Sequence, residues 1–204
     1  MCKGQTKSQF VAVASIAAEL NAVMDVAKEI SLAAANAKAI AFRAGEKAKG
    51  FQPITDFINE LAKETIALVT DVNEHAIELY QLTVNNYRTT NVYTQLKLVE
   101  NLSKDAAYIN SIEQPILNAQ IKMDKCKRDF KMNITQLLDQ LAEVMHPARA
   151  ARVIAANSRI EASQAGEYLQ SLQAVAESVD NAAQIIHDNV QRCRSALSIV
   201  EQTD

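Results

Sequence analysis

Residues 10–41, FVAVASIAAELNAVMDVAKEISLAAANAKAIA, carry the reading on which the fold rests. Phe10, Val13, Ile16, Leu20, Val23, Ala27, Ile30, Ala34, Ala37 and Ala41 recur in alternating steps of three and four. That spacing places them on one stripe of an α-helix, with polar and charged residues around the rest of the circumference. The alanines toward the end of the stretch are small enough to let a neighbouring helix come close, although each buries little surface.

The same rhythm continues on both sides of each interruption. After a glycine-containing break at Gly45–Gly50 it resumes at Ile54, Ile58, Leu61, Thr65, Leu68, Val72, His75, Leu79 and Leu82, with Pro53 suited to a first helical turn. The polar run Asn85–Asn91 is poor in strong helix formers and is a candidate bend or loop, with a continuous helix through it as the alternative. A third periodic stretch surrounds Pro115 and passes through Met123, Cys126, Phe130, Ile134, Leu137, Leu141 and Val144 to a break at His146–Pro147. Pro115 and Pro147 are expected to mark helix starts or kinks. The fourth runs from Tyr168 through Leu172, Val175, Val179, Ala182, Ile186, Val190, Cys193, Leu197 and Val200. A helix of forty-odd residues is roughly 60 Å long at ~1.5 Å per residue, and such a rod covers its apolar stripe only against similar rods. The expected fold is therefore all-α: an elongated antiparallel bundle of four long helices with coiled-coil-like packing, forming a single domain over residues 1–204.

Composition narrows the function. With 4 Gly, 3 Pro and no Trp in 204 residues, the chain lacks the punctuation that sheets joined by tight turns require. Lys and Arg total 21 against 24 Asp and Glu, a balance that does not suggest a nucleic-acid surface. Cys2, Cys126 and Cys193 have neither metal-ligand spacing nor the density of a disulfide framework, which favours a reducing, cytoplasmic setting. No stretch reaches the ~20 apolar residues of a membrane span. The start Met1–Lys7 is not followed by the apolar core of a secretory signal, so the chain is expected to be neither exported nor anchored.

Residues 34–65, AANAKAIAFRAGEKAKGFQPITDFINELAKET, resemble the hairpin tip of the cytoplasmic signalling domain of bacterial chemoreceptors, the methyl-accepting chemotaxis proteins. The resemblance covers roughly residues 27–69 and is carried by Asn36, Arg43-Ala44-Gly45-Glu46, Gly50-Phe51 and Glu60-Leu61-Ala62. A second, weaker copy lies 121 residues on, where Ala155-Ala156-Asn157 and Ala165-Gly166-Glu167 repeat Ala34-Ala35-Asn36 and Ala44-Gly45-Glu46, with Ile160-Glu161-Ala162 between them. An internal repeat of 1–95 and 96–204 is accordingly considered. No Gly-Phe pair follows Glu167, which lets the second copy be continuous helix.

The resemblance implies a long helical hairpin that dimerises into a four-helix bundle, its tip contacting neighbouring receptors, a histidine kinase and a coupling adaptor. Two hairpins in one chain would mimic that dimer. It further implies partner contacts at Asn36, Arg43, Glu46, Phe51, Asn157, Glu161 and Glu167. The sequence also departs from the family. Arg43 is retained from the usual Glu/Arg tip pair, but Ile40 stands for the glutamate; the second copy keeps Glu161 and has Gln164 for the arginine. Lys28 replaces an apolar tip contact. The family's methylation sites are adjacent Glu/Gln pairs flanked by small residues; here the pairs are Glu113-Gln114, followed by Pro115, and Glu201-Gln202 at a helix end, so methyl-dependent adaptation is not expected.

Candidate chemistry is sparse. Glu143 and His146 have the Glu-x-x-His spacing of diiron bundles, yet the only companion is His75 with Glu78 in reversed order, so no metal is expected. His146 before Pro147 suits a helix C-terminus instead. His75 on the seam suits a register-fixing residue with a backbone partner, and His187, next to Ile186, suits the solvent border. Arg43 and Glu46 also have the spacing of a surface i,i+3 pair. Cys126 and Cys193 fall on seams as small packing residues. No serine has a base and orienter nearby in sequence, and no phosphate loop occurs. The expected function is a non-enzymatic signalling or scaffold protein that needs no cofactor and acts through protein contacts at a hairpin tip, with homo-oligomers possible. The alternatives are an amphipathic lipid- or surface-associated protein and a ligand-binding helical bundle.

Overall fold

A computed structural model describes the backbone of residues 2–202 and the side chains of residues 11–200. Cys2, Phe10 and the Glu201-Gln202 pair lie outside the described side chains. Four helices account for nearly all of the described chain: α1 (Cys2–Ala44), α2 (Phe51–Leu102), α3 (Glu113–Ala162) and α4 (Leu169–Gln202), with no strand among the described residues. Each packs along two neighbours, α1 against α2 and α4, and α3 against α2 and α4, so that four antiparallel rods form the sides of a square. With 52 residues, α2 is about 78 Å long at the usual helical rise.

The core follows the alternating three-and-four spacing closely along α1, where Val13, Ile16, Leu20, Val23, Ala27, Ile30, Ala34, Ala37 and Ala41 are all buried. In α2 the centre of the seam lies one position later at alternate turns. Thr55, Ala62, Val69, Ala76 and Thr83 are buried, while Ile54, Leu61, Leu68 and Leu82 pack half-buried against the flank. Small residues hold the centre because the helices approach closely there, and the larger side chains close the edges. The buried threonines satisfy their hydroxyls locally: Thr65 donates to the Leu61 carbonyl at 2.8 Å and Thr83 to that of Leu79 at 2.8 Å.

Three expectations about helix boundaries are corrected. Helix α2 continues through Asn85–Asn91 to Leu102. Asn86 is buried, and Thr89 and Thr94 return their hydroxyls to the carbonyls of Asn85 and Thr90 at 2.8 Å each, so tertiary packing outweighs weak propensity. The reversal comes after Leu102, through Ser103–Tyr108 and the 3-10 turn Ile109–Ile112. Pro115 sits in the first turn of α3, as expected, but α3 does not break at Pro147, which is buried within the helix. His146 consequently lies mid-helix and exposed rather than at a C-terminus. The loss of one backbone hydrogen bond at Pro147 is offset by packing of its ring beside Ile30, Ile58 and Ala148.

Positions 121 residues apart occupy equivalent places. Apart from Ala48, every buried seam residue from Val13 to Leu79 has a buried counterpart at that offset: Val13 and Ile134, Leu20 and Leu141, Ala34 and Ala155, Phe51 and Leu172, Leu79 and Val200 among them. At the end opposite the hairpin turns, α2 and α3 run on past α4, because α3 has 50 residues and α4 has 34. There the buried face of α3 steps round to Ile116, Ala119, Phe130 and Asn133, turning toward α2 as α4 ends.

Candidate functional site: the hairpin end

Both tip-like segments lie at one end of the bundle, where the chain leaves α1 directly at Gly45 and leaves α3 through Ser163–Ala165 to Gly166, each glycine taking the left-handed backbone that other residues adopt only at a cost. Gly45 has φ 59° and Gly166 has φ 58°, the positive values that terminate a helix at low steric cost. After Gly45 the chain makes the 3-10 turn Gly45–Ala48 and enters α2; after Gly166 it makes the turn Gly166–Tyr168 and enters α4. The second copy is thus a turn, not the continuous helix that the missing Gly-Phe pair would have allowed. A Gly-Phe pair is not needed, since backbone hydrogen bonds from Ser163, Gln164, Ala165 and Tyr168 carry the chain round through Gly166, and Leu172 fills the place of Phe51.

Beneath the two turns lies a small separate core of Ala37, Ala41, Ala44, Ala48, Phe51, Ala162, Ala165 and Leu172. Six of the eight are alanine, so Phe51 and Leu172 supply most of the apolar burial. Phe51 is 0% exposed. It has no surface to offer a partner, and its assignment as a contact residue is corrected: the side chain seals the first turn from within.

The turns are tied across the bundle by polar side chains. Lys47 lies over Gly166, its Nζ 3.8 Å from the Glu167 carboxylate. Glu161, half-buried, lies against Gly50 so closely that a Cβ there would run into its carboxylate. Each hairpin therefore lays a charged side chain over a glycine of the other. Glu46 pairs with Lys49 at 3.2 Å rather than with Arg43, because the left-handed turn at Gly45 interrupts the helical spacing between them. Arg43 is exposed, its Nε donating to the Ala39 carbonyl at 3.3 Å, and enters no ion pair among the described residues. Lys38 and Asp56 join α1 to α2 at 2.6 Å. Exposed pairs of this kind contribute well under ~1 kcal/mol each, so their importance is placement rather than stability.

Asn36 and Asn157 are exposed at equivalent positions on α1 and α3. Of the residues singled out in the sequence, Asn36, Arg43, Glu46, Asn157 and Glu167 thus lie on the surface of one end, Glu161 is half-covered and Phe51 is internal. Sequence reasoning missed Phe42 and Ile160, apolar yet 79% and 62% exposed, and Lys47. Phe42 falls one position after the seam residue Ala41, and that offset was the available signal. Lys28 is exposed and pairs with Asp25 at 3.6 Å.

Elsewhere the histidines have structural settings. The His75 Nδ1 lies 3.0 Å from both the Asp71 carbonyl and Gln140 Nε2, and the Nε2 lies 3.0 Å from Gln136 Nε2, so the ring is held between its own helix and two amide side chains of α3. Cys193 is buried, its thiol pushed up to about 12 chiefly by burial and then by the Glu19 carboxylate. Among the described residues no group of three or more His, Cys, Asp or Glu is placed to hold a metal ion. Among them also no helix is long and apolar enough to cross a membrane.

No family model matches the chain. It is similar to the methyl-accepting chemotaxis protein McpN of Pseudomonas aeruginosa, with 28% identity over 165 residues, covering 74% of this chain and 30% of that protein. The chain thus spans about a third of the length of the curated relative that it matches, and its all-α bundle is consistent with a chemoreceptor-like signalling fold.

Proposed function

We propose that the chain is a non-enzymatic signalling scaffold of chemoreceptor type, whose hairpin end docks a histidine kinase, a coupling adaptor or another receptor-like bundle. The observation that carries this reading is the convergence of two turns at one end, each with a left-handed glycine, with Lys47 reaching Glu167 between them and exposed Asn36, Arg43, Glu46 and Asn157 around them. The similarity to a methyl-accepting chemotaxis protein supports the choice of partners. In the same reading the two hairpins are copies of one unit, so that a single chain stands in for a two-chain receptor tip; the matched burial 121 residues apart supports this.

The mechanism that follows is mechanical. The end core is mainly alanine, so alternative helix packings there differ little in buried surface, and a partner that prefers one of them shifts the population. Co-sedimentation with the host's chemotaxis kinase and adaptor tests the reading. Arg43→Glu and Glu46→Lys are expected to weaken binding about tenfold or more, the loss of a charge-assisted contact. Binding that is absent, or unchanged by both substitutions, would remove the assignment.

A further inference from the structure

Away from the hairpin end, α2 carries a second seam outside the bundle. Ile77, Tyr80, Val84 and Tyr87 each follow by one position a residue of its buried seam. Ile77 is 53%, Tyr80 49% and Tyr87 39% exposed, and Val84 is half-buried. This edge of α2 adjoins α1, since Asn59, three heptads before Tyr80, accepts a hydrogen bond from Ser31 at 2.9 Å. Apolar and aromatic side chains in alternating steps of three and four on an exposed edge are the pattern by which one helical rod packs along another.

The outer seam reads alike in both directions. Reflection about residue 82 exchanges Ile77 with Tyr87 and Tyr80 with Val84. Further out it exchanges Asn73 with Asn91, Thr70 with Thr94 and Ile66 with Leu98, so apolar meets apolar, amide meets amide and hydroxyl meets hydroxyl. Thr70 and Thr94 already donate to carbonyls of their own helix, at 2.7 and 2.8 Å, and need no polar partner. A surface with that property is complementary to itself about a two-fold axis, the condition for a closed, isologous contact. The charges beside the seam select the same arrangement. Glu74 and Arg88 stand one heptad either side of Gln81, exposed and in no ion pair among the described residues. Between antiparallel helices, flanking positions of this kind face one another across the seam, which brings Glu74 of one copy beside Arg88 of the other. A parallel copy would set Glu74 against Glu74, and a slide of one heptad either way leaves neither charge opposite the other.

We infer that this outer seam of α2 is the docking site for a second copy of the chain, bound antiparallel, with the two-fold axis passing beside Leu82. Ile77 of each copy packs on Tyr87 of the other and Tyr80 on Val84, while Glu74 pairs with Arg88 at two symmetric places. The contact uses neither hairpin turn, so both hairpin ends of the dimer stay free, pointing in opposite directions, and the inference stands apart from what docks there.

Sedimentation equilibrium on the full chain tests the inference. A dimer is expected, and Ile77→Asp is expected to give monomers by placing a charge in the apolar middle of the seam. Glu74→Arg and Arg88→Glu are each expected to weaken the dimer about tenfold or more, since like charges then meet at both symmetric places. An equimolar mixture of the two variants is expected to give heterodimers, because each supplies the sign the other lacks. The double variant Glu74→Arg/Arg88→Glu is expected to recover the dimer. Circular dichroism checks that these surface substitutions leave the helices intact. A chain that stays monomeric at all concentrations overturns the proposal, as does association indifferent to Ile77→Asp and to both charge reversals, or a double variant as weak as the singles.

Discussion

Gly45 and Gly166 reverse the chain at the same end of the bundle, 121 residues apart in sequence and within one degree of each other in φ, at 59° and 58°. Neither has a heavy atom so near that a Cβ would clash, so the cost of a side chain there is conformational. Gly45→Ala and Gly166→Ala should each destabilise by about 1 kcal/mol, read from urea midpoints at unchanged slope. The double variant should show nearly the sum. No loss in either would mean that the turns relax into another conformation.

Phe51→Ala should cost about 3–5 kcal/mol, since it empties the largest side chain of a core made mainly of alanine. Leu172→Ala should cost about 2–5 kcal/mol for the same reason. Thermal unfolding by circular dichroism measures both. A Phe51 substitution that left stability intact while abolishing partner binding would return that residue to the surface.

Asn133 is buried in α3 with its Oδ1 lacking a partner among the described residues, and Asn86 of α2 is in the same state. Asn133→Leu should raise stability by about 1–2 kcal/mol, because an unsatisfied buried amide is replaced by apolar surface. The gain should come with looser pairing of α2 and α3, since a buried polar residue penalises shifted registers. Denaturation together with cysteine cross-linking between the two helices would report both effects.

Cys193 should resist thiol reagents in the folded protein, being buried with its Sγ 3.8 Å from the Ile16 carbonyl. Its thiol is held up near 12 against an ordinary 9.0, so at alkaline pH the unfolded chain ionises first. The folded state then holds more protons, and stability should fall as pH rises from about 9 toward 12, with no contribution below that window. The slope should vanish in Cys193→Ala.

The long helices were legible because most large apolar residues keep one period: along α1 the expected seam from Val13 to Ala41 is the buried one. In α2 the largest apolar residues, Ile54, Leu61 and Leu68, mark the flank of the seam, while the closest approach belongs to the smaller Thr55, Ala62 and Val69, so side-chain size alone points one position too early. Asn85–Asn91 and Pro147 misled for a related reason. Local propensity is worth tenths of a kcal/mol per residue for the asparagines and about 3 kcal/mol for the proline, amounts that packing along a 50-residue helix exceeds. At the hairpin end the surface positions of Asn36 and Arg43 agree with the sequence, but the burial of Phe51 and the reach of Lys47 to Glu167 depend on how two distant turns meet. No single stretch of sequence contains that information.

The thin alanine floor beneath the turns leaves the rod unevenly fastened along its length. Toward the opposite end, Leu137, Leu141, Ile16 and Leu20 interlock with branched side chains, whereas near Ala41 and Ala162 little holds the strands of the cable together. Within the four-helix shaft, amide exchange should therefore run faster around residues 37–48 and 158–169 than around residues 13–23 and 134–144, so that the end available to partners loosens before the middle of the shaft.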